Sequence, residues 1–369
     1  MIKNDILFTG YYGQLNTGDD AFVEVSAWGA KEIWKEDKVT FLGVKKRLPR
    51  TITSVKGYPF RFPKSYNLQQ KVLLNNTRYL ISSGGSTFQN PILPGSLKDR
   101  AAALAKARKI KLGAIGVSVG PFKNSKEELS NVEYLKSLSF LALRDRRSYE
   151  YAKSLDLPYE PVEAFDLAAL LPDIYDYDDF SKGHKKEKII GVSVCNYERY
   201  IGGDVANEER RNASLIELLK ELDTKINVTF RFFVINGSPN RGDLPLTQEI
   251  ITKTAFKNKV EIVPYNPNVR RVWLDIADCN FVLTTRLHAG IFACFANTPF
   301  MLVEYHMKCT DFLEDVGQAE FYRLNDAEFE RNKIIERIQG LVEEGGWSFP
   351  HNRQLMVDRA YFNFNSITL

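Results

Sequence analysis

Short apolar runs alternate along this chain with longer segments in which apolar residues recur every three or four positions, and the alternation happens twice. In the first half the runs are DILFT, VTFLGV, RYLISS, LGAIGVSV and FLALR, and the helical segments between them include DDAFVEVSAWGAKEIWKE, SLKDRAAALAKARKI and RRSYEYAKSL. In the second half KIIGVSV, NVTFRFFVIN, VEIVPY, FVLTT and PFMLVEY alternate with ERRNASLIELLKELDTK, NVRRVWLDIADC, LHAGIFACFAN and CTDFLEDV. Near-continuous apolar strands separated by amphipathic helices are the pattern of a parallel sheet covered on both faces. The sequence therefore predicts an α/β protein of two Rossmann-like domains in tandem.

Between the halves lies PDIYDYDDFSKGHKKEK, polar and without consistent periodicity, which reads as a linker. The expected boundaries are 1–172 for the first domain and 188–345 for the second, with 346–369 forming a terminal helix that crosses back onto the first. A chain of 369 residues is long for one core, so two domains are also what size predicts. Ligands of open α/β sheets bind beyond the carboxyl ends of the strands, so two such domains facing each other form a cleft lined by strand-to-helix loops.

Five of those loops carry candidate chemistry. GYYGQLNTGDDAF follows the first strand; its spacing is neither GxGxxG nor GK[ST], so no nucleotide fingerprint is present. Asp19 or Asp20 begins the next helix, either as an aspartate N-cap or, with Asn16, as part of a loop that engages sugar hydroxyls. SSGGSTFQN offers backbone amides and Ser86 to an anion or a hydroxyl-rich ligand. GVSVGPF reads as loop punctuation that stops a strand. In LALRDRRSYEYA, Arg144 stands at a strand end. In TTRLHAG, Arg286 and His288 are two apart, and continued extended backbone would turn both toward the cleft beside a helix N-terminus that favours an anion. Lys308 occupies the corresponding place in the next unit and is expected to meet the same anion. His184, His306 and His351 read as surface or linker residues without a role.

Composition narrows the class. Hydrophobic residues make up 44% and charged residues 26%, which is ordinary for a folded globular protein. A net charge of +4 from 50 basic and 46 acidic residues is too weak a bias to predict a nucleic-acid partner. Cys195, Cys279, Cys294 and Cys309 form no CxxC pair, so neither a metal site nor a disulfide framework is expected, and a cytoplasmic location follows. Basic and aromatic residues in KVTFLGVKKRLPR leave room for peripheral contact with the inner face of a membrane.

Taken together, GYYGQLNTGDDAF, SSGGSTF, GVSVGP, LRDRRS, TTRLHAG and YHMK..DFLEDVG, from Gly10 to Gly317, resemble the polysaccharide pyruvyl transferases in order and approximate spacing. The resemblance implies a GT-B-like arrangement of the two domains, with the acceptor on the first and phosphoenolpyruvate on the second. It implies transfer of a pyruvyl group from phosphoenolpyruvate to two hydroxyls of a sugar, forming a cyclic ketal and releasing phosphate. Phosphoenolpyruvate is then a substrate, and no cofactor is called for. On this reading Arg286, His288 and Lys308 bind and activate the donor, Arg144 assists, and His288 is the acid, kept protonated by nearby anions. Asn16, Asp19 and Ser86 would receive the acceptor, a sugar free or linked to a lipid or nucleotide. Two departures from the family pattern are Ser83 and Ser86 flanking the glycine pair, and His306 in place of an aspartate. The alternatives are a GT-B glycosyltransferase using a nucleotide-sugar and a non-catalytic sugar-binding protein.

Overall fold

A computed structural model of the protein describes residues 4–60, 62–177, 187–326 and 330–369. Its first sheet contains β1 (Asn4–Thr9), β2 (Val39–Phe41), β3 (Thr77–Phe88), β4 (Lys111–Val119), β5 (Phe140–Leu143) and β6 (Val162–Glu163). The second contains β7 (Ile189–Ser193), β8 (Thr229–Phe233), β9 (Val260–Val263), β10 (Phe281–Thr284), β11 (Phe300–Glu304) and β12 (Arg323–Asn325). Every pairing between these strands is parallel.

The reason is visible in β1. Ile6 and Phe8 point into one apolar cluster and Leu7 into another, and all three are fully buried. A strand apolar on both faces is stable only with helices on each side, and each such side chain contributes about 1.5–3 kcal/mol by leaving water. In the second sheet Phe230 and Phe232 fall in one cluster while Phe233 falls in the other.

Strand order fixes where a ligand can sit. The first sheet runs β2-β1-β3-β4-β5-β6 and the second β12-β11-β10-β7-β8-β9. Connections leave in opposite directions from β1 and β3, and from β7 and β10, which opens a crevice at each of these two switch points. Asn16, Cys195 and His288 follow β1, β7 and β10, and Ser86 lies near the carboxyl end of β3 itself.

The two units are tied together directly. The backbone N–H of Thr17 donates to Ile235 O at 3.0 Å, Arg50 N–H donates to Pro267 O at 2.8 Å, and Arg147 pairs with Asp311 at 2.5 Å. Of the segment read as a linker, Leu171–Tyr175 forms a short helix with Leu171, Ile174 and Tyr175 in the core, while 178–186, with His184, lie outside the described residues. The terminal helix Arg353–Asn365 packs on the first sheet: Asn363 accepts from Gly116 N–H at 2.6 Å and donates to Phe165 O at 2.9 Å. The four cysteines are buried, and none is joined in a disulfide. Among the described residues no helix is long and apolar enough to cross a membrane.

Candidate active site between the two sheets

Arg144, at the end of β5, is only 8% exposed and is fully engaged by its own domain. Its Nε donates to Ser118 Oγ at 2.7 Å, Nη1 to Asp166 Oδ2 at 3.0 Å and Nη2 to Ser86 Oγ at 3.4 Å. A buried guanidinium needs such a carboxylate, because an unpaired charge there would be expelled. Asp166 follows β6 and also caps the turn Leu167–Leu170, accepting from Ala168 N–H at 3.0 Å. Its Oδ2 stands 3.9 Å from His288 Nε2. Asp166 thus joins an arginine of the first sheet to a histidine of the second, and no motif in the sequence singled it out.

His288 comes from the second domain and lies against the first. Its ring meets Phe22 edge-on at 5.2 Å and Phe292 at 6.5 Å. A Cβ on Gly18 would fall 2.2 Å from His288 Nδ1, so glycine at this place in the GDD motif is what lets the imidazole close onto the helix Thr17–Glu32. Nε2 is buried and has no hydrogen-bond partner among the described residues. Burial pushes His288 down to about 4; Asp166 opposes this, while Arg144, Lys308 and Arg286 add to it. Without a ligand the ring is neutral at pH 7, because its surroundings are apolar and net cationic.

Arg286 and His288 do not share a face by strand alternation. β10 ends at Thr284, and the helix Leu287–Phe295 starts immediately, which places His288 in its first turn. Arg286, extended at the N-cap, turns to buried Asp243, donating through Nε at 3.0 Å to both carboxylate oxygens and also through Nη2. Asp243, from the loop after β8, is a second buried carboxylate that sequence reasoning missed.

Lys308 lies in the first turn of the helix Met307–Val316. Its ammonium sits 5.0 Å from the Tyr197 ring and 5.7 Å from that of Tyr305, and among the described residues no carboxylate pairs with it. Burial lowers its pKa, as expected of a cation without a counter-ion. His306, read as a residue without a role, is the N-cap of this helix: its Nδ1 accepts from Lys308 N–H at 3.1 Å. Burial first, then Lys308 and Arg147, holds His306 at about 4, which keeps Nδ1 free to accept. A neutral cap here satisfies the backbone without bringing a negative charge beside Lys308.

Some of these groups line a cavity of about 190 Å³ whose wall includes Ser86, Ser118, Arg144, Asp166, His306 and Lys308. Gly120 and Pro121, taken for mere punctuation, also line it. His288, Arg286 and Asp19 are not on its wall but act on the same charges: Arg144, Arg286 and Lys308 each lower Asp19, which burial and then Asp20 push up to about 7. Ser86, two residues past Gly84, touches Arg144 through its Oγ at 3.4 Å. Gly84 and Gly85 both have positive φ, and a Cβ on Gly84 would strike Phe22 at 2.2 Å. The first loop also differs from expectation. Its N-cap is Asn16, whose side chain accepts from Gly18 N–H at 3.0 Å; Asp19 and Asp20 lie within the first turn. Asn16 is therefore occupied by its own helix, Asp20 accepts from Tyr265 Oη at 2.6 Å, and Asp19 is the acidic group left facing Gly85.

With this geometry in hand the chain can be compared with others. The sequence pattern of polysaccharide pyruvyl transferase matches residues 16–307. The chain belongs to the polysaccharide pyruvyl transferase family. No curated protein matches it closely enough to add to this. Among solved structures it resembles UDP-GlcNAc 2-epimerase of Methanocaldococcus jannaschii, at 13% identity and a TM-score of 0.56, covering 96% of this chain and 98% of that one. The Neisseria meningitidis UDP-GlcNAc 2-epimerase bound to UDP-GlcNAc gives 13% and 0.54, covering 99% and 97%. Anabaena HepE in complex with UDP and glucose gives 10% and 0.55, covering 98% of each chain. At such identities the likeness is one of fold: two Rossmann-like domains in a GT-B-like arrangement. The transferase's own residues, at the two switch points, have to supply the argument about chemistry.

Proposed function

We propose that this transferase moves a pyruvyl group from phosphoenolpyruvate to two hydroxyls of a sugar in a cell-surface polysaccharide or its precursor. The observation that carries the reading is that Arg144, Arg286 and Lys308 all act on one buried imidazole, with Lys308 on the cavity wall and without a carboxylate partner among the described residues. A donor bearing both a carboxylate and a phosphate suits such a set: arginine holds planar anions in two-point fashion and lysine acts as a point charge.

The donor's negative charge raises His288 from its ligand-free value, so the ring takes up a proton as the donor binds. His288 then gives that proton to the methylene carbon of the enol. A sugar hydroxyl adds to the adjacent carbon and passes its proton to Asp19, whose pKa near 7 suits a base at neutral pH. A second hydroxyl forms the other bond to the same carbon as phosphate leaves and carries that hydroxyl's proton away as hydrogen phosphate, its charge balanced by Lys308. The products are a cyclic ketal and inorganic phosphate, with no water consumed.

The test is phosphate release from phosphoenolpyruvate in the presence of hexosides and of lipid-linked or nucleotide-linked saccharides. Release that requires a sugar, retained donor binding in Asp19→Asn, and a fall in its turnover by about 10²–10⁴-fold are the expected outcomes. Sugar-dependent consumption of a UDP-sugar, with phosphoenolpyruvate ignored, would make the protein a glycosyltransferase instead.

A further inference from the structure

Acidic and basic residues are nearly balanced over the whole chain, 46 against 50, yet between Lys38 and Lys98 there are eleven lysines and arginines and no aspartate or glutamate. The same stretch exposes large apolar side chains. Phe60 is 68% exposed, Phe62 64%, Leu68 64% and Val72 53%. Leu68 and Val72 are one turn apart on the helix Tyr66–Asn75, on the outward stripe that also carries Lys71, and Lys64 precedes Leu68 by one turn.

This surface is held in place. Phe60 exchanges two hydrogen bonds of 2.9 Å between its backbone and the side chain of Gln69, and Tyr58 stacks on Tyr66 at 5.0 Å. Its other end reaches the cleft: Arg47 backs the loop at Gly13, where an added Cβ would lie 3.0 Å from Arg47 Cβ, and Ile52 N–H donates to Glu24 at 2.8 Å. The sequence had pointed to KVTFLGVKKRLPR for membrane contact, but Phe41 is fully buried in the first sheet, so the apolar part of the surface comes from Phe60–Val72.

We propose that this face docks on an anionic lipid bilayer, with Phe60, Phe62, Leu68 and Val72 entering the headgroup region and Lys64 and Lys71 meeting acidic headgroups. Protruding aromatic and aliphatic tips with Lys64 and Lys71 beside them gain from both terms of interfacial binding. A polynucleotide would use the cations but leave Leu68 and Val72 without a function, because phosphate backbones are bound by charge and bases by stacking. Docking does not depend on the pyruvyl-transfer reading. Its consequence does: the rim of the cleft nearest Asp19 would lie at the lipid surface, where a lipid-linked saccharide presents its sugar.

The experiment is co-sedimentation of the full chain with vesicles of phosphatidylcholine alone and of phosphatidylcholine mixed with phosphatidylglycerol. Binding is expected only to the mixed vesicles and is expected to weaken with salt. Phe60→Ser/Phe62→Ser should lower the partition coefficient at least about tenfold, and Lys64→Gln/Lys71→Gln about fivefold per charge, with unfolding temperatures unchanged. Turnover of a soluble acceptor, if found, should be the same in these variants, which separates failure of docking from failure of the catalytic reading. Equal binding to both vesicle types, or undiminished binding by the phenylalanine variant, would overturn the proposal. So would binding of single-stranded DNA as tight as that of mixed vesicles and indifferent to Phe60 and Phe62.

Discussion

His288→Gln is expected to lower sugar-dependent phosphate release by about 10²–10⁴-fold while the protein remains folded. The expectation follows from placement. Nε2 is a buried nitrogen with no hydrogen-bond partner among the described residues, 3.9 Å from a carboxylate, in the first turn of a helix whose N-terminus favours an anion. Glutamine keeps a polar side chain of similar reach and cannot deliver a proton to carbon. A purely packing role for the ring, against Phe22 and Phe292, predicts something else: lost stability with turnover per folded molecule kept. Steady-state kinetics corrected for the folded fraction, by circular dichroism, decides between them.

The largest effect on stability is expected at Asp166. Asp166→Ala leaves the Arg144 guanidinium, 8% exposed, without its carboxylate, and breaking one side of a buried pair costs about 3–5 kcal/mol. It also strips the cap from Leu167–Leu170, a turn whose residues are all buried between the domains. Urea unfolding of the variant should therefore begin at a clearly lower concentration. Arg144→Leu/Asp166→Leu should recover most of that loss, since it removes both charges, yet remain inactive. An Asp166→Ala protein as stable as the parent would mean that water already solvates Arg144 and that the pair is not as buried as its contacts indicate.

Most of the scaffold was legible in the sequence because strand and helix segments here are strongly patterned. DILFT and LGAIGVSV could only be strands buried on both faces, and the loops after them had to line the cleft. What escaped was decided by tertiary contacts. β6 is two residues long, so Asp166 read as part of a loop, and only folding brings it between Arg144 and His288. Asp243 hides in NGSPNRGD, which looks like a plain turn. The two-residue spacing of Arg286 and His288 suggested a shared face, but a helix starts between them, and the arginine turns to Asp243. The dry surroundings of His288 could not be read from the sequence either, because Phe22 is brought in from the other domain. His306 was passed over because a histidine cap has no sequence signature comparable to Ser, Thr, Asp or Asn.

The sign of His288's titration gives the sharpest check. With a ligand-free pKa of about 4 and a bound value that must be near or above neutrality for the ring to act as an acid, donor binding takes up a proton throughout that interval. Donor affinity should accordingly fall as pH rises toward the bound pKa, by up to about tenfold per unit. Calorimetric titration of phosphoenolpyruvate at pH 7 in two buffers of different ionisation enthalpy measures this uptake directly. The account predicts close to one more proton taken up by the native protein than by His288→Gln. Equal uptake by the two proteins, or no binding of phosphoenolpyruvate at all, would contradict it.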